Sequence, residues 1–350
     1  MARPFTALLL TATLAMVSGC GGRVVDSPDA GDGSASSISI SGSSTVFPVI
    51  AQAVEAFGNT ARGRDVSIQL SEVGSTAGLR EFCAGTIPIA NASRPISSAE
   101  LEACAANGIT FIELPLAFDA LTVVVNGGND WASAITTEEL SRTWSRGAEG
   151  KVTSWMEINP AWPQRPLALC GPGKDSGTFD YFNEAINGDQ NNSRSDYQAS
   201  EDDSVIVDCV AGDPGAMGYF GFANFKANSD RLKALAIAGG DGEPVIPSLQ
   251  SVQDGSYVPL SRPLFIYVND QQMRSDDAIR SFVGFTVGNG LNFVEKAGYI
   301  PLPADTYRLV ETKLYRHILG TSFGGDLPVG LTIGEALRRS FEDTRKEGYR

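Results

Sequence analysis

Ile38-Ser-Ile-Ser-Gly-Ser-Ser-Thr-Val-Phe-Pro48 is the stretch on which the reading of the fold turns. From Ile38 to Gly42 apolar and small polar side chains alternate with period two, the pattern of a half-buried strand. Beyond it the period changes. Val49, Ile50, Ala53, Val54 and Phe57 recur at helical spacing, and Pro48 stands near the first turn, where its missing N–H costs nothing. A second strand pattern follows at Val66-Ser-Ile-Gln-Leu70. Strand, helix and strand at these lengths predict an α/β domain.

Two apolar runs farther along read as crossovers: Leu114 to Val125 and Ser261 to Asn269. Between them lie helical patterns at Thr137 to Trp144 and Thr178 to Ile186, with a Gly/Pro turn at Gly212 to Gly215. After the second crossover come helical stretches at Asp276 to Gly288 and Leu291 to Ala297. This order predicts a discontinuous first lobe (38–117 with 262–320), a second lobe inserted in it (118–261), a two-crossing hinge and a ligand cleft between the lobes. Residues 321–350 form a C-terminal extension that ends in a charged amphipathic pattern, and there is no internal repeat.

The 350 residues allow one large or two ordinary domains. Hydrophobic residues make up 42% and charged residues 19%, enough to bury a sizeable core. A formal charge of −14 argues against a nucleic-acid partner, which would require a broad basic face. It leaves room for a small-anion site, since such a site is built from local dipoles.

The N-terminus carries a short positive start at Arg3 and an apolar run from Phe5 to Val17, followed by Ser18-Gly19-Cys20. The run is too short for a comfortable membrane span and reads as a secretory signal over 1–19. Small residues directly before Cys20 resemble a bacterial lipobox, which implies cleavage before Cys20 and diacylation of its thiol. The alternative is an ordinary signal peptide with Cys20 incidental. Gly21-Gly22 and the polar stretch to Ser37 read as a flexible tether over 20–37. No other stretch is apolar enough to span a membrane, so the expectation is a chain held to a membrane and not embedded in it. Cys83, Cys104, Cys170 and Cys209 remain, and an exported location permits disulfides. Four cysteines allow three connectivities. Cys83–Cys104 with Cys170–Cys209 is preferred, because each bridge then stays within one region. A zinc site is the weaker alternative: there is no CxxC, and His317 is the only histidine.

Three short loops share one design: Gly42-Ser43-Ser44-Thr45, Gly74-Ser75-Thr76-Ala77-Gly78 and Asp175-Ser176-Gly177-Thr178, each ahead of a helical pattern. Any one of them reads as ordinary helix capping. Three together point to anion binding, because a helix N-terminus leaves N–H groups unpaired and carries about half a positive charge. Asn91-Ala-Ser-Arg-Pro95 adds a fourth feature, either a surface turn with a solvated Arg94 or a guanidinium fork aimed at the same anion.

Gly42-Ser-Ser-Thr-Val-Phe-Pro48, Val73-Gly-Ser-Thr-Ala-Gly78, Ile89-Ala-Asn-Ala-Ser-Arg-Pro-Ile96 and Gly171-Pro-Gly-Lys-Asp-Ser-Gly-Thr-Phe-Asp-Tyr-Phe182 occur in that order. Together with Ser193-Arg-Ser-Asp-Tyr197, Ala199-Ser-Glu-Asp-Asp203, Gly218-Tyr-Phe-Gly221 and Pro259 to Val268, they closely resemble the periplasmic phosphate-binding proteins of phosphate ABC transporters (the PstS family, in its SphX-like branch). The match covers about residues 38 to 320. It implies a type II periplasmic-binding-protein fold, two α/β lobes closing on inorganic phosphate, and delivery to an ABC transporter permease. It also implies a monomer with no cofactor and no metal. Carried over by position, the resemblance puts Thr45 and Val46 in the first anion loop, Ser75 in the second, and Ser176, Gly177 and Thr178 in the third; the adjacent loop hydroxyls of Ser44 and Thr76, with Ser93, are expected beside them.

The chain departs from the family pattern twice. Ser93 stands where an Asp usually accepts the phosphate proton, and the Arg that pairs with that Asp, near Pro172, is absent. Losing both partners of a buried ion pair strands no charge, whereas losing one costs about 3–5 kcal/mol. Arg94 is the expected replacement cation, with Arg194 second. Asp175 is the expected proton acceptor, with Asp196 behind it. Two other functions compete: a receptor or sensor for another tetrahedral oxyanion, and a phosphatase using Ser176. No histidine is available near Ser176 to activate it, and the acidic runs Glu138-Glu139 and Glu201 to Asp203 read as solvated faces. His317 is expected on a surface helix. Trp131, Trp144, Trp155 and Trp162 are expected in the core or on the surface of the second lobe.

Overall fold

The structure is a computed structural model of the chain and describes residues 24–25, 36–174, 176–239, 242–323, 333–334 and 337–338. Cys20, Asp175 and nearly all of the C-terminal extension lie outside the described residues.

The opening segment folds as its two periods dictate. Ser36–Gly42 is a strand and Phe47–Gly58 a helix that buries Val49, Ile50, Ala53, Val54 and Phe57. Burying each larger member of that set contributes about 1.5–3 kcal/mol. Phe57 meets the Phe282 ring edge-on at 5.5 Å. The chain returns as Val66–Glu72, parallel to the first strand, and Ile89–Ala92 flanks the first strand on its other side, also parallel.

The two apolar crossovers are neighbours. Ser261–Asn269 pairs antiparallel with Ile89–Ala92 on one edge and with Phe111–Asn126 on the other. In Phe111–Asn126 every residue but the last is buried, as expected for a strand covered on both faces. Its first part is held by Ser261–Asn269 and its last part by Ala216–Gly221. Ala168–Pro172 and Gln198–Ser200 extend the sheet in parallel register beyond Ala216–Gly221. One mixed sheet therefore runs through both halves of the molecule, and the long strand belongs to each half in turn. The architecture is α/β, with a curled open sheet clothed by helices on either side of the long strand.

Thr137–Trp144 and Gly177–Asn187 form helices, and Trp144 packs edge-on against Phe182 at 5.8 Å and Tyr219 at 4.9 Å. Trp155 and Trp162 are also buried, and Trp155 stacks edge-on with Trp131. The aromatic cluster is core. Disulfides join Cys83 to Cys104, tying helix Ser75–Cys83 to helix Ser98–Ala106, and Cys170 to Cys209, tying strand Ala168–Pro172 to helix Asp203–Gly212. The helical stretch at Asp276 to Gly288 forms as a helix with Asp276 as its N-cap. The Asp276 carboxylate accepts from the N–H groups of Ala278 and Ile279 and starts a helix at Asp277. His317 is not on a surface helix. It follows the end of helix Ala304–Tyr315 with φ at 50°, partly buried with its ring nitrogen against Asp270.

Candidate functional site

Two of the three hydroxyl loops belong to the half of the sheet that starts the chain. Gly42 ends the first strand with φ at 142°, and a Cβ there would lie 2.1 Å from the Asn91 carbonyl oxygen. Only glycine lets the strand end press this close to its neighbour. Ser43 N–H then donates to that same oxygen at 3.0 Å, which fixes the first loop beside the Asn91–Arg94 turn. The second loop is joined to that turn through hydroxyls. Ser75 Oγ lies 3.2 Å from Ser93 Oγ and accepts from Ser93 N–H at 3.1 Å. The third loop comes from the other half of the molecule, and a Cβ on Gly177 would stand 3.4 Å from both Ser44 Oγ and Thr45 Oγ1. All three helix starts thus meet at one cleft of about 830 Å³, which Ser44, Thr45, Ser75, Thr76, Ser93 and Gly177 help to line.

This cleft is rich in donors. Helices Phe47–Gly58 and Ser75–Cys83 have no side-chain cap and no acid in the first turn. Among the described residues the N–H groups of Ser44, Thr45, Ser75, Thr76, Ala77 and Gly177 have no hydrogen-bond partner. Unpaired N–H groups and the positive ends of three helix dipoles give this cleft local positive potential in a chain of net charge −14, although Asp180 and Glu184 also line it.

Three arginines line the cleft: Arg80, exposed on helix Ser75–Cys83, and two more deeply set ones with contrasting partners, Arg94 and Arg262. Arg94 is clamped by Glu100, with Nη1 2.9 Å from Oε2 and Nη2 2.8 Å from Oε1. Those hydrogen bonds raise the Arg94 pKa against the effect of burial. Burial pushes the Glu100 carboxyl up, but its bonds from Arg94 and Ser97 outweigh that and lower it. Arg262 is the second. Its Nη2 donates to Thr45 Oγ1 at 2.7 Å, its Nε donates to Asp119 Oδ2 at 3.2 Å, and its Cζ sits 3.7 Å above the Tyr181 ring.

The known proteins most informative for this geometry are binding proteins. The model of the PBP superfamily domain matches residues 27–289. Protein SphX of Synechocystis sp. is 45% identical over 308 residues, 87% of this chain and 91% of that protein. The chain belongs to the PBP superfamily, in the group that holds SphX and PstS. Phosphate-binding protein PstS of Staphylococcus saprophyticus is 32% identical, over 85% of this chain and 90% of its own. A crystal structure of a "possible phosphate binding protein" from Planctomyces limnophilus superposes with a TM-score of 0.76 at 37% identity, covering 81% of this chain and 98% of that one.

Against that family pattern, the other expected residues divide. Val46 caps its helix with its backbone but turns its side chain into the core, and its N–H donates to Ser43 O. Ser176 is the N-cap of helix Gly177–Asn187, accepting from Thr178 N–H at 3.2 Å, and neither Ser176 nor Thr178 is among the residues lining the cleft. Asp175 lies outside the described residues. Arg194 is a correction. It is 3% exposed, pairs with Asp196 through Nε and Nη2, and donates through Nη1 to the carbonyls of Thr143 and Val152. It locks the second half together and is not at the cleft. Asp196, held at about 2 chiefly by those Arg194 bonds, is likewise not at the cleft and is no proton acceptor there. Sequence reasoning missed Arg262. Its stretch, Ser261-Arg-Pro-Leu, was read for its apolar run. Only the register Arg262↔Asp119 reveals the charged pair.

Proposed function

We propose that the chain captures inorganic phosphate outside the cytoplasm and delivers it to the permease of an ABC transporter for uptake. The observation that carries this reading is the meeting of three uncapped or hydroxyl-capped helix starts at one cleft, with N–H groups from both halves of the sheet that have no partner among the described residues. Hydrogen bonds to a charged ligand contribute about 1.5–3 kcal/mol each. A handful of them supports the roughly 8 kcal/mol of a micromolar complex after the costs of association. The chain is a binding protein and not an enzyme, in keeping with its family. The lobe boundaries are proposed at 38–117 with 262–320 and at 118–261, with the monomer as the working form.

The proposal includes a lipid anchor. Cleavage before Cys20 and diacylation of its thiol would hold the receptor to a membrane surface through the tether. No helix among the described residues is long and apolar enough to cross a membrane. Mass measurement of the membrane-extracted protein checks the anchor: Cys20→Ser is expected to release the protein in soluble, unlipidated form.

Calorimetry with phosphate, sulfate, arsenate and molybdate on the mature chain tests the ligand. Phosphate and its isostere arsenate are expected to bind in the micromolar range or tighter, with sulfate weaker. Ser93 in place of the usual Asp keeps the second reading, a receptor for another tetrahedral oxyanion, tied to a specific residue. Sulfate or molybdate binding tighter than phosphate would establish that reading instead.

A further inference from the structure

We infer that Arg262, and not Arg94, supplies the guanidinium that grips the anion, with Asp119 as its positioning residue. This rests on the oxyanion-receptor reading and adds the charged pair that holds the ligand.

The two guanidiniums differ in the donors they have left. A guanidinium has five N–H groups, four of them on the two terminal nitrogens. In Arg94 all four are used. Nη1 donates to Glu100 Oε2 and to Pro95 O, and Nη2 donates to Glu100 Oε1 and to Thr76 Oγ1. Only Nε–H remains, and both carboxylate oxygens of Glu100 already oppose the charge. Arg262 is supplied differently. Nε donates to Asp119 Oδ2, and Nη2 donates to Thr45 and stands 3.2 Å from the same carboxylate oxygen, while among the described residues Nη1 has no partner for either of its hydrogens.

Position reinforces the count. Arg262 opens strand Ser261–Asn269 and faces Asp119 across the antiparallel ladder. These strands are the ones shared between the halves of the sheet, so the cation stands at the crossing itself. On one side it donates to Thr45, in the first anion loop. On the other its plane lies on Tyr181, four residues beyond Gly177 in the third helix. Tyr181 in turn donates its hydroxyl to Pro259 O at 2.8 Å. Arg262 therefore contacts both walls of the cleft at once. Because Thr45 Oγ1 accepts from Arg262, its own hydroxyl proton is left to donate to a ligand oxygen.

Burial makes the pair effective. The Arg262 side chain is 15% exposed and that of Asp119 7%. Charge interactions at such a site are screened less than at the surface. The aromatic face and the single carboxylate contact pre-set the plane of the fork, so little side-chain freedom is lost when an anion arrives. The family pattern draws its Asp and Arg from two loops, and both are missing here. In this chain an Asp–Arg pair is rebuilt from two hinge strands.

The test is phosphate calorimetry on the mature chain, with thermal melting to confirm folding. Arg262→Gln is expected to weaken phosphate binding by about 10- to 100-fold, the range of one charge-assisted contact. Arg262→Lys should recover part of the loss, since it keeps the charge and loses the fork. Arg94→Gln should cost less than about 5-fold, as only one N–H and a neutralised charge are removed. Should Arg262→Gln fold poorly with Asp119 stranded, Asp119→Asn/Arg262→Gln leaves no buried charge and must show the same loss. Asp119→Asn alone should weaken binding, and adding it to Arg262→Gln should change affinity no further. A purely structural Asp119 would weaken binding in both backgrounds. Unchanged affinity in a folded Arg262→Gln variant, or a larger loss in Arg94→Gln, overturns the inference and leaves the receptor reading standing. Wild-type protein that binds none of the four oxyanions would sink both.

Discussion

In the loop that holds Arg194 and Asp196 the guanidinium and carboxylate are two residues apart. Across the paired strands Phe111–Asn126 and Ser261–Asn269, Arg262 and Asp119 are 143 residues apart in sequence. The local pair closes on itself: the arginine gives two nitrogens to its neighbour and the third to two carbonyls, and is 3% exposed. The distant pair is brought together by strand register, which leaves one nitrogen of its arginine without a partner among the described residues, at the edge of a cleft. The same two functional groups thus brace a lobe in one region and are available to a ligand in the other. What separates them is how many of the five donors the surrounding backbone already occupies.

The sharpest way to break this comparison is to remove the bracing arginine. Arg194→Ala should destabilise the fold by about 3 kcal/mol, because it leaves the buried Thr143 carbonyl, the partly buried Val152 carbonyl and the Asp196 carboxylate without their donor. Phosphate affinity should stay within about 2-fold. Chemical denaturation with parallel calorimetry checks both, and a large loss of affinity at unchanged stability would put Arg194 back in the binding machinery.

Gly177→Ala probes the facing wall. Its methyl would stand 3.4 Å from the Ser44 and Thr45 hydroxyls, where the first and third loops oppose each other. An anion wedged there has little room to yield, so affinity should fall about 10-fold, roughly 1.4 kcal/mol, with melting nearly unchanged. Ser176→Ala, one residue earlier, should do the reverse. It removes an N-cap and costs about 1 kcal/mol of stability, and its effect on phosphate affinity should be smaller than that of Gly177→Ala.

Acid supplies the smallest and most diagnostic difference. Arg194 holds Asp196 at about 2, below the ordinary carboxylate value of about 3.9. A folded-state pKa below the unfolded one contributes stability that is complete above about pH 4 and is lost as pH falls toward 2. Burial moves Asp119 the other way, with Arg262 opposing it. Its contribution is therefore present below the ordinary carboxylate value and lost as pH rises through its folded pKa. Unfolding curves at pH 5 and pH 2.5 should show part of the acid loss vanish in Arg194→Ala and persist in Asp119→Asn/Arg262→Gln.

Much of the cleft was legible because its parts are local. A strand, a Gly, two hydroxyls and a helical period occupy one short stretch, and Ser44, Thr45, Ser75, Thr76, Ser93, Arg94 and Gly177 all line the site. What residue order does not display is which partners each side chain meets once the backbone folds. Arg94 reads as a free fork until Glu100 folds back on it from the capping box of helix Ser98–Ala106. Arg194 reads as a loop cation until the carbonyls of Thr143 and Val152 arrive from elsewhere in its lobe. His317 reads as helical until its backbone turns to positive φ beyond Tyr315.

By itself the amino-acid order determined the α/β class, the two apolar crossings and the three hydroxyl-bearing helix starts. Period, capping chemistry and glycine placement act over a few residues, and a single chain displays them directly. Tertiary structure alone decided which arginine keeps donors for a ligand. That depends on Asp119 meeting Arg262 across a ladder, on Tyr181 covering it from the other half, and on Glu100 having already claimed Arg94. Hydrogen-bonding capacity is a property of what surrounds a side chain, and the fold sets those surroundings.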